Sequence, residues 1–160
     1  MRFTSTAPYR LRVTGRTALF LNTVGEHMTG EVVDRAVAEA QQSCDAQVLE
    51  YTVGPAPMNG QTAPGHEWVF EYVTPPSDEL TFIQALDRAL MQHHSSYAWY
   101  RKANAIRFPE LESVPQGTFR SWVATYKNND PQTKVPRLKN DRCILEQVEA
   151  CTSAPTAAAA

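Results

Sequence analysis

The sequence predicts an α+β fold, in which helices cover one face of a mixed or mainly antiparallel sheet. Segments that alternate apolar and polar residues, as strands do, are interleaved with segments whose apolar residues recur at helical spacing. Their order is two strands, a helix, two strands, a long helix, a strand and two short helices. The 160 residues, 42% of them hydrophobic, suffice for one domain with a buried core.

The first half of the chain contains four predicted strands and a helix. Residues 9–14 and 17–23 form a strand pair whose centre is apolar on both faces, so we expect both faces to be covered. Thr29 is a suitable N-cap for a helix over residues 30–44. Its predicted buried stripe consists of Val33, Ala36, Val37, Ala40 and Cys44. Residues 47–53 form the next strand, and a loop rich in Gly and Pro follows.

Residues 66–73 alternate cleanly and predict a strand packed by aromatic side chains. One face carries His66, Trp68, Phe70 and Tyr72; the other carries Glu67, Val69, Glu71 and Val73. The aromatic face could stack bases, as in RNA-recognition sheets, but alternating aromatics on a strand favour a core.

The second half begins with a long helix, capped by Ser77, that is predicted to continue to about residue 102. Its apolar stripe includes Ile83, Leu86, Leu90, His93 and Tyr97. Pro109 interrupts the next strand, residues 107–114, which should therefore lie at an edge or begin after the proline. Short helices are predicted over residues 118–126 and 141–149, and residues 151–160 are predicted to be a disordered, alanine-rich tail.

A proline-stiffened loop near the end of the chain carries two cations, Lys134 and Arg137. Val135 precedes Pro136, so it is pushed toward extended geometry, which projects both cations outward. Residues 101–142 contain nine Lys/Arg against four Asp/Glu, within a chain of net charge -2. An anionic ligand such as a phosphate or carboxylate would suit this region, although on physical grounds alone the pattern favours a solvated basic loop.

The motifs of several self-contained active sites are missing from the sequence. The four histidines, at positions 27, 66, 93 and 94, have no metal-ligand spacing, so we predict no metal site. His93 lies on an apolar stripe and is expected to be a hydrogen-bonded core or boundary residue. There is no G-x-S-x-G and no P-loop. The three cysteines are odd in number and form no C-x-x-C pair, and there is no apolar signal-like or membrane-spanning segment. These features favour a cytoplasmic protein.

Six segments together carry a family resemblance over residues 5–145. They are residues 8–16, 22–27, 65–71 and 97–101, Gly117-Thr118-Phe119, and Gln132-Thr133-Lys134-Val135-Pro136-Arg137. In this order and spacing they resemble the C-terminal domain of the Gretchen Hagen family, the auxin-responsive acyl acid amido synthetases, in a bacterial-type form. That family belongs to the adenylate-forming enzymes.

The resemblance implies that residues 1–150 form a mobile C-terminal lid domain. In such enzymes an N-terminal domain binds ATP, with magnesium, and a carboxylic acid, forms an acyl adenylate and passes the acyl group to an amino acid. The chain alone would then bind no cofactor and catalyse no reaction. Two alternatives stay open: a nucleic-acid-binding module, and an interaction domain that keeps the lid fold without its chemistry.

By this resemblance Lys134 is the candidate catalytic residue, reaching the nucleotide phosphates during adenylation. Arg137 would help to bind the nucleotide and, with Gly117 and Phe119, would hold the loop. Gly25 supports a second segment, in which plant members carry a lysine that approaches the adenylate. His27 stands at or next to that place, and histidine is shorter and only partly charged near neutral pH.

Overall fold

The computed structural model describes residues 2–6, 9–12, 20–58, 60, 62–127 and 134–152. The strands within them are β1 (Arg2–Thr6), β2 (Tyr9–Arg12), β3 (Phe20–Leu21), β4 (Met28–Thr29), β5 (Gln47–Pro55), β6 (His66–Thr74) and β7 (Glu110–Val114). The helices are α1 (Gly30–Ser43), α2 (Glu79–His93), α3 (Ser95–Lys102), α4 (Thr118–Tyr126) and α5 (Cys143–Thr152). The predicted α+β class is confirmed.

A mixed three-stranded sheet, in the order β5-β6-β7, forms the centre of the fold. Strands β5 and β6 are antiparallel, with Val53 opposite Trp68 and Tyr51 opposite Phe70. Strand β7 runs parallel to β6, begins after Pro109 and lies at an edge of the sheet, as predicted.

Helices cover both faces of this sheet, whereas the sequence predicted one covered face. Trp68, Phe70 and Tyr72 belong to a first core cluster, which also contains buried residues of α1 and α2. Val69 points to the opposite face, where it joins a second core cluster with residues of α4 and α5. Glu71 shares this second face and is also buried, where its carboxylate binds the start of α4.

Helix α1 agrees closely with its prediction. Its buried residues are Val33, Ala36, Val37 and Ala40, and Cys44 lies partly buried just beyond its end. Thr29 occupies the N-cap position, but its side chain makes no capping hydrogen bond.

The long helix predicted up to residue 102 is two helices, α2 and α3, separated at His94. The backbone of His94 is extended, with φ -139° and ψ 101°, so the α2 ladder stops there. Helix α2 is capped by Asp78, and not by Ser77 as predicted, because the Asp78 carboxylate accepts hydrogen bonds from the amides of Leu80 and Thr81.

The N-terminal strands pair differently from the prediction. Strand β2 lies within the predicted segment 9–14 but pairs with β1, which the sequence analysis missed. The predicted segment 17–23 contributes β3, which pairs with the two-residue strand β4. Residues 13–19 lie outside the described part of the chain.

The C-terminal helices follow the predicted order. Helix α4 has the predicted bounds, whereas α5 begins at Cys143 and continues to Thr152, beyond the predicted residues 141–149. Cys151 and Thr152 are therefore helical and not part of a tail, and residues 153–160 lie outside the described residues. Among the described helices, none has the length and apolar character needed to cross a membrane.

Candidate functional site

The loop that carries Lys134 and Arg137 is attached to the edge of the central sheet. The backbone carbonyl of Arg137 accepts a hydrogen bond from the Val53 amide at 2.8 Å, and the Lys139 amide donates to the Val53 carbonyl at 3.1 Å. The Thr52 hydroxyl donates to the Pro136 carbonyl at 2.9 Å. Residues 136–139 therefore run along β5 like a short additional strand, consistent with the extended geometry that Pro136 favours.

Lys134 projects from the anchored end of this loop. Its side chain is exposed and forms no hydrogen bond or ion pair with any residue in the described ranges. The next residue, Val135, is buried in the second core cluster together with Phe119. The loop thus presents an ammonium group, without a partner in the described part of the chain, one residue away from a fixed core position.

Arg137, in contrast, is held by two carboxylates. Its guanidinium contacts Asp34 of α1 at 2.8 Å and Glu50 of β5 at 3.2 Å, and lies 4.9 Å from the ring centroid of Tyr51. The Tyr51 hydroxyl donates to Asp34, and burial followed by that hydrogen bond raises the pKa of Tyr51. These contacts suit the expected loop-holding role of Arg137, and its contact with a nucleotide stays a prediction.

Gly117 and Phe119 lie at the start of α4, where a buried carboxylate binds them. The Glu71 side chain accepts hydrogen bonds from the Gly117 amide at 2.7 Å and the Phe119 amide at 2.9 Å. Gly117 has φ +92°, a left-handed conformation that glycine adopts without strain. The Gly-Thr-Phe segment therefore fixes α4 on β6, and the buried Phe119 side chain meets the Lys134 loop through the second core cluster.

His27 is exposed on a tight turn between β3 and β4. Two of its three central residues, Gly25 with φ +114° and His27 with φ +50°, are left-handed. Beneath them the Glu26 carboxylate accepts hydrogen bonds from the Thr23 amide at 2.6 Å and the Val24 amide at 2.8 Å. Burial alone would raise the pKa of Glu26, but His66 and these amides lower it to about 2. The turn is thus closed around a charged carboxylate.

The Lys134 loop and the His27 turn are directly connected. The Asn140 side-chain oxygen accepts a hydrogen bond from the Asn22 amide at 2.7 Å. The two segments that the sequence singled out therefore lie side by side, although more than a hundred residues separate them along the chain.

Several supporting residues escaped the sequence analysis. They are Asp34, Glu50 and Tyr51 around Arg137, Glu71 beneath α4, Glu26 and His66 beneath the turn, and Asn140. Glu26 and Glu71 stand inside segments that carried the family resemblance, which is the one signal that could have identified them. Asn140 had no such signal.

The remaining histidines serve as hydrogen-bonding groups. His66 contacts Glu26 at 2.8 Å, and His93 contacts Glu39 at 2.6 Å, which confirms His93 as a boundary residue. His94 accepts a hydrogen bond from the Tyr97 amide. Apart from these, carboxylate oxygens of Glu67, Glu112 and Glu149 lie within 4.8 Å of one another.

A cation already accompanies this acidic cluster. The Arg142 guanidinium contacts Glu67, and it lies 3.4 Å from Glu149. Burial, together with Glu149 and Glu67, raises the pKa of Glu112. The cluster was not predicted from the sequence, and its charges are partly balanced within the protein.

The aromatic side chains of β6 form part of the core, as favoured from the sequence. Trp68 and Phe70 are fully buried and Tyr72 is nearly so. Phe70 and Tyr72 meet Phe82 of α2 edge to face. These rings are covered by a helix and present no surface for stacking bases.

These features define a small α+β domain that presents a lysine on a loop anchored to its central sheet. Residues 31–143 match the family model described as the GH3 family C-terminal domain, and the chain belongs to this family. The resemblance to the Gretchen Hagen family is confirmed by this match.

Solved structures give the same fold. The chain is similar to the GH3.15 acyl acid amido synthetase, with a TM-score of 0.69 and 16% identity over 85% of this chain and 26% of that one. It is equally similar to AtGH3.15 acyl acid amido synthetase in complex with 2,4-DB, with a TM-score of 0.69 and 16% identity over 88% of this chain and 26% of that one. The chain therefore spans about a quarter of each. No curated protein matches the sequence.

Proposed function

We propose that this chain is the mobile C-terminal lid of an ATP-dependent acyl acid amido synthetase. Its partner is an N-terminal adenylation domain in the same protein, which binds Mg-ATP and a carboxylic acid. The acid is activated as its adenylate and is then joined to an amino acid. Family membership and the names of the similar structures support this assignment.

The observation that carries the proposal is the contrast between Lys134 and Arg137. Both are cations on one loop, but Arg137 is occupied by Asp34 and Glu50, whereas Lys134 has no partner among the described residues. An unpaired ammonium is suited to an anionic ligand that comes from outside the domain. In adenylation, negative charge develops on the nucleotide phosphates, and a cation held in place stabilises it.

The His27 turn is the second contact surface in this proposal. The Asn140 to Asn22 hydrogen bond ties the chain just beyond the Lys134 loop to the start of this turn, which supports a shared ligand for the two segments. A histidine here donates a hydrogen bond to an adenylate oxygen in either charge state, provided that the correct nitrogen carries the proton. Its reach is shorter than that of a lysine.

ATP-pyrophosphate exchange with a panel of carboxylic acids tests this function. The intact protein that contains this domain should exchange label with at least one acid. The 160-residue chain alone should give no exchange, because in the proposed enzyme the N-terminal domain binds ATP and the carboxylic acid. Circular dichroism of the same sample serves as the control for folding.

Robust exchange by the chain alone would contradict the lid assignment. An intact protein that exchanges with no acid would instead favour a non-catalytic interaction domain that keeps the fold.

A further inference from the structure

Glu26 lies beneath the His27 turn and is completely buried as a side chain. One of its carboxylate oxygens accepts hydrogen bonds from the Thr23 amide at 2.6 Å and from His66 Nε2 at 2.8 Å. The other accepts from the Val24 amide at 2.8 Å. Because a carboxylate only accepts, Nε2 of His66 carries the proton in this contact.

His66 also contacts the helices that cover the sheet. Its ring stacks on Tyr97 of α3, with centroids 5.7 Å apart, and the Tyr97 hydroxyl donates to Asp87 of α2 at 2.6 Å. Arg101 then binds both oxygens of Asp87, each at 2.9 Å. The turn is thus connected to two helices through a series of contacts that consists of hydrogen bonds and one ring-stacking contact, between His66 and Tyr97.

The conformation that this network holds is an unusual one. His27 is a non-glycine residue with φ +50°, and Gly25 is left-handed beside it. A Cβ at position 25 would lie 2.7 Å from the Tyr100 hydroxyl, so α3 also packs directly against the turn. Residues in such conformations persist when their surroundings determine them strongly.

Stability alone is a weak reason for burying a carboxylate against an imidazole ring. Well-packed apolar side chains of similar volume are often at least as stabilising, whereas ionic contacts can specify one geometry. The geometry specified here is that of the turn from which His27 projects.

We propose that Glu26 and His66 are positioning residues that fix the orientation of His27 for its contact with the adenylate. This inference rests on the proposed function of the His27 turn. Glu26 touches no ligand itself and acts through His27, and His66 holds Glu26 in place.

Glu26→Gln is the sharpest perturbation of this network. The glutamine side-chain amide has one oxygen and one amino group. Its amino group must therefore face at least one of the three groups that now donate hydrogen bonds to Glu26. In the intact protein we expect the Thr23 and Val24 amides to exchange hydrogen at least about tenfold faster, with little change in central β6. No local acceleration, or an equal acceleration everywhere, would overturn the inference.

A double-mutant cycle in the intact protein separates positioning from general structure. Glu26→Gln and His27→Ala should each lower kcat/KM for ATP-pyrophosphate exchange at least about fivefold. The double variant should fall no further than about twofold below the worse single variant. Losses that multiply would show that Glu26 acts independently of His27 and would overturn the inference.

Glu39→Gln provides the matched control. It makes the same chemical change in another histidine-carboxylate pair, Glu39 with His93, and should leave exchange within about twofold of the parent protein. An equal loss of exchange in this control would show that Glu26→Gln acts only by destabilising the protein, and it would overturn the inference.

The outcomes also separate this inference from the proposed function. Loss of exchange on changing Lys134 but not His27 would overturn the positioning role and leave the lid assignment intact. If the intact protein adenylates no acid, the lid assignment fails, and hydrogen exchange at Thr23 and Val24 alone decides whether Glu26 fixes the turn.

Discussion

At the scale of single residues, buried carboxylates hold the segments from which the candidate residues project. Glu26 closes the His27 turn, and Glu71 binds the start of α4 beside Phe119. Besides the local amides that bind Glu26, these carboxylates have partners 40 to 48 residues away along the chain, at His66, Gly117 and Phe119. Local patterns predicted the segments but could not predict these pairings, because strand periodicity assigns a glutamate to the solvent face by default.

Glu71→Ala should destabilise the domain by about 2 to 4 kcal/mol, since it leaves the buried Phe119 amide and the half-buried Gly117 amide without an acceptor. Denaturant unfolding of the parent and variant measures this difference. Glu110→Ala is the control, because Glu110 forms a half-exposed ion pair with Arg107, and its loss should cost about 1 kcal/mol or less. Equal costs for the two variants would show that the Glu71 contacts contribute no more than a surface pair.

At the scale of elements, hydrophobic periodicity predicted the position of a helix or strand correctly where one face is apolar and capping or turn residues mark both ends. Helix α4, helix α1 and strand β6 have the predicted positions within one or two residues. The two-residue strands β3 and β4 are too short to show any period. The break between α2 and α3 was missed because the apolar stripe continues through it from Leu90 to Tyr97, both buried.

The break itself depends on His94, whose Nδ1 accepts a hydrogen bond from the Tyr97 amide at 3.2 Å and so caps α3. His94→Ala should cost about 1 kcal/mol of stability, whereas His94→Asn should cost a few tenths, because asparagine is a good N-cap. Thermal unfolding of the two variants side by side measures the difference. A His94→Ala variant as stable as the parent would mean that packing alone imposes the break.

At the scale of the whole molecule, the Lys134 loop joins the two core clusters at the edge of the sheet. Val135 is buried in the second cluster, and Leu138 in the first. Between them, the Pro136 carbonyl accepts a hydrogen bond from the Thr52 hydroxyl, and the Arg137 carbonyl accepts one from the Val53 amide of β5. The position of Lys134 therefore depends on both helical layers, which explains why the sequence could identify the loop but not the surface against which it lies.

The central claim, that Lys134 is the lid cation for adenylation, is tested most directly by ATP-pyrophosphate exchange in matched variants of the intact protein. Lys139→Ala removes the same charge from the same loop, but from a lysine that already pairs with Asp141 at 3.5 Å. We expect Lys134→Ala to lower the exchange rate about a hundredfold with unchanged unfolding temperature, as for the loss of other groups that stabilise developing charge. Lys139→Ala should stay within about twofold. Equal and small effects of the two substitutions would contradict the claim.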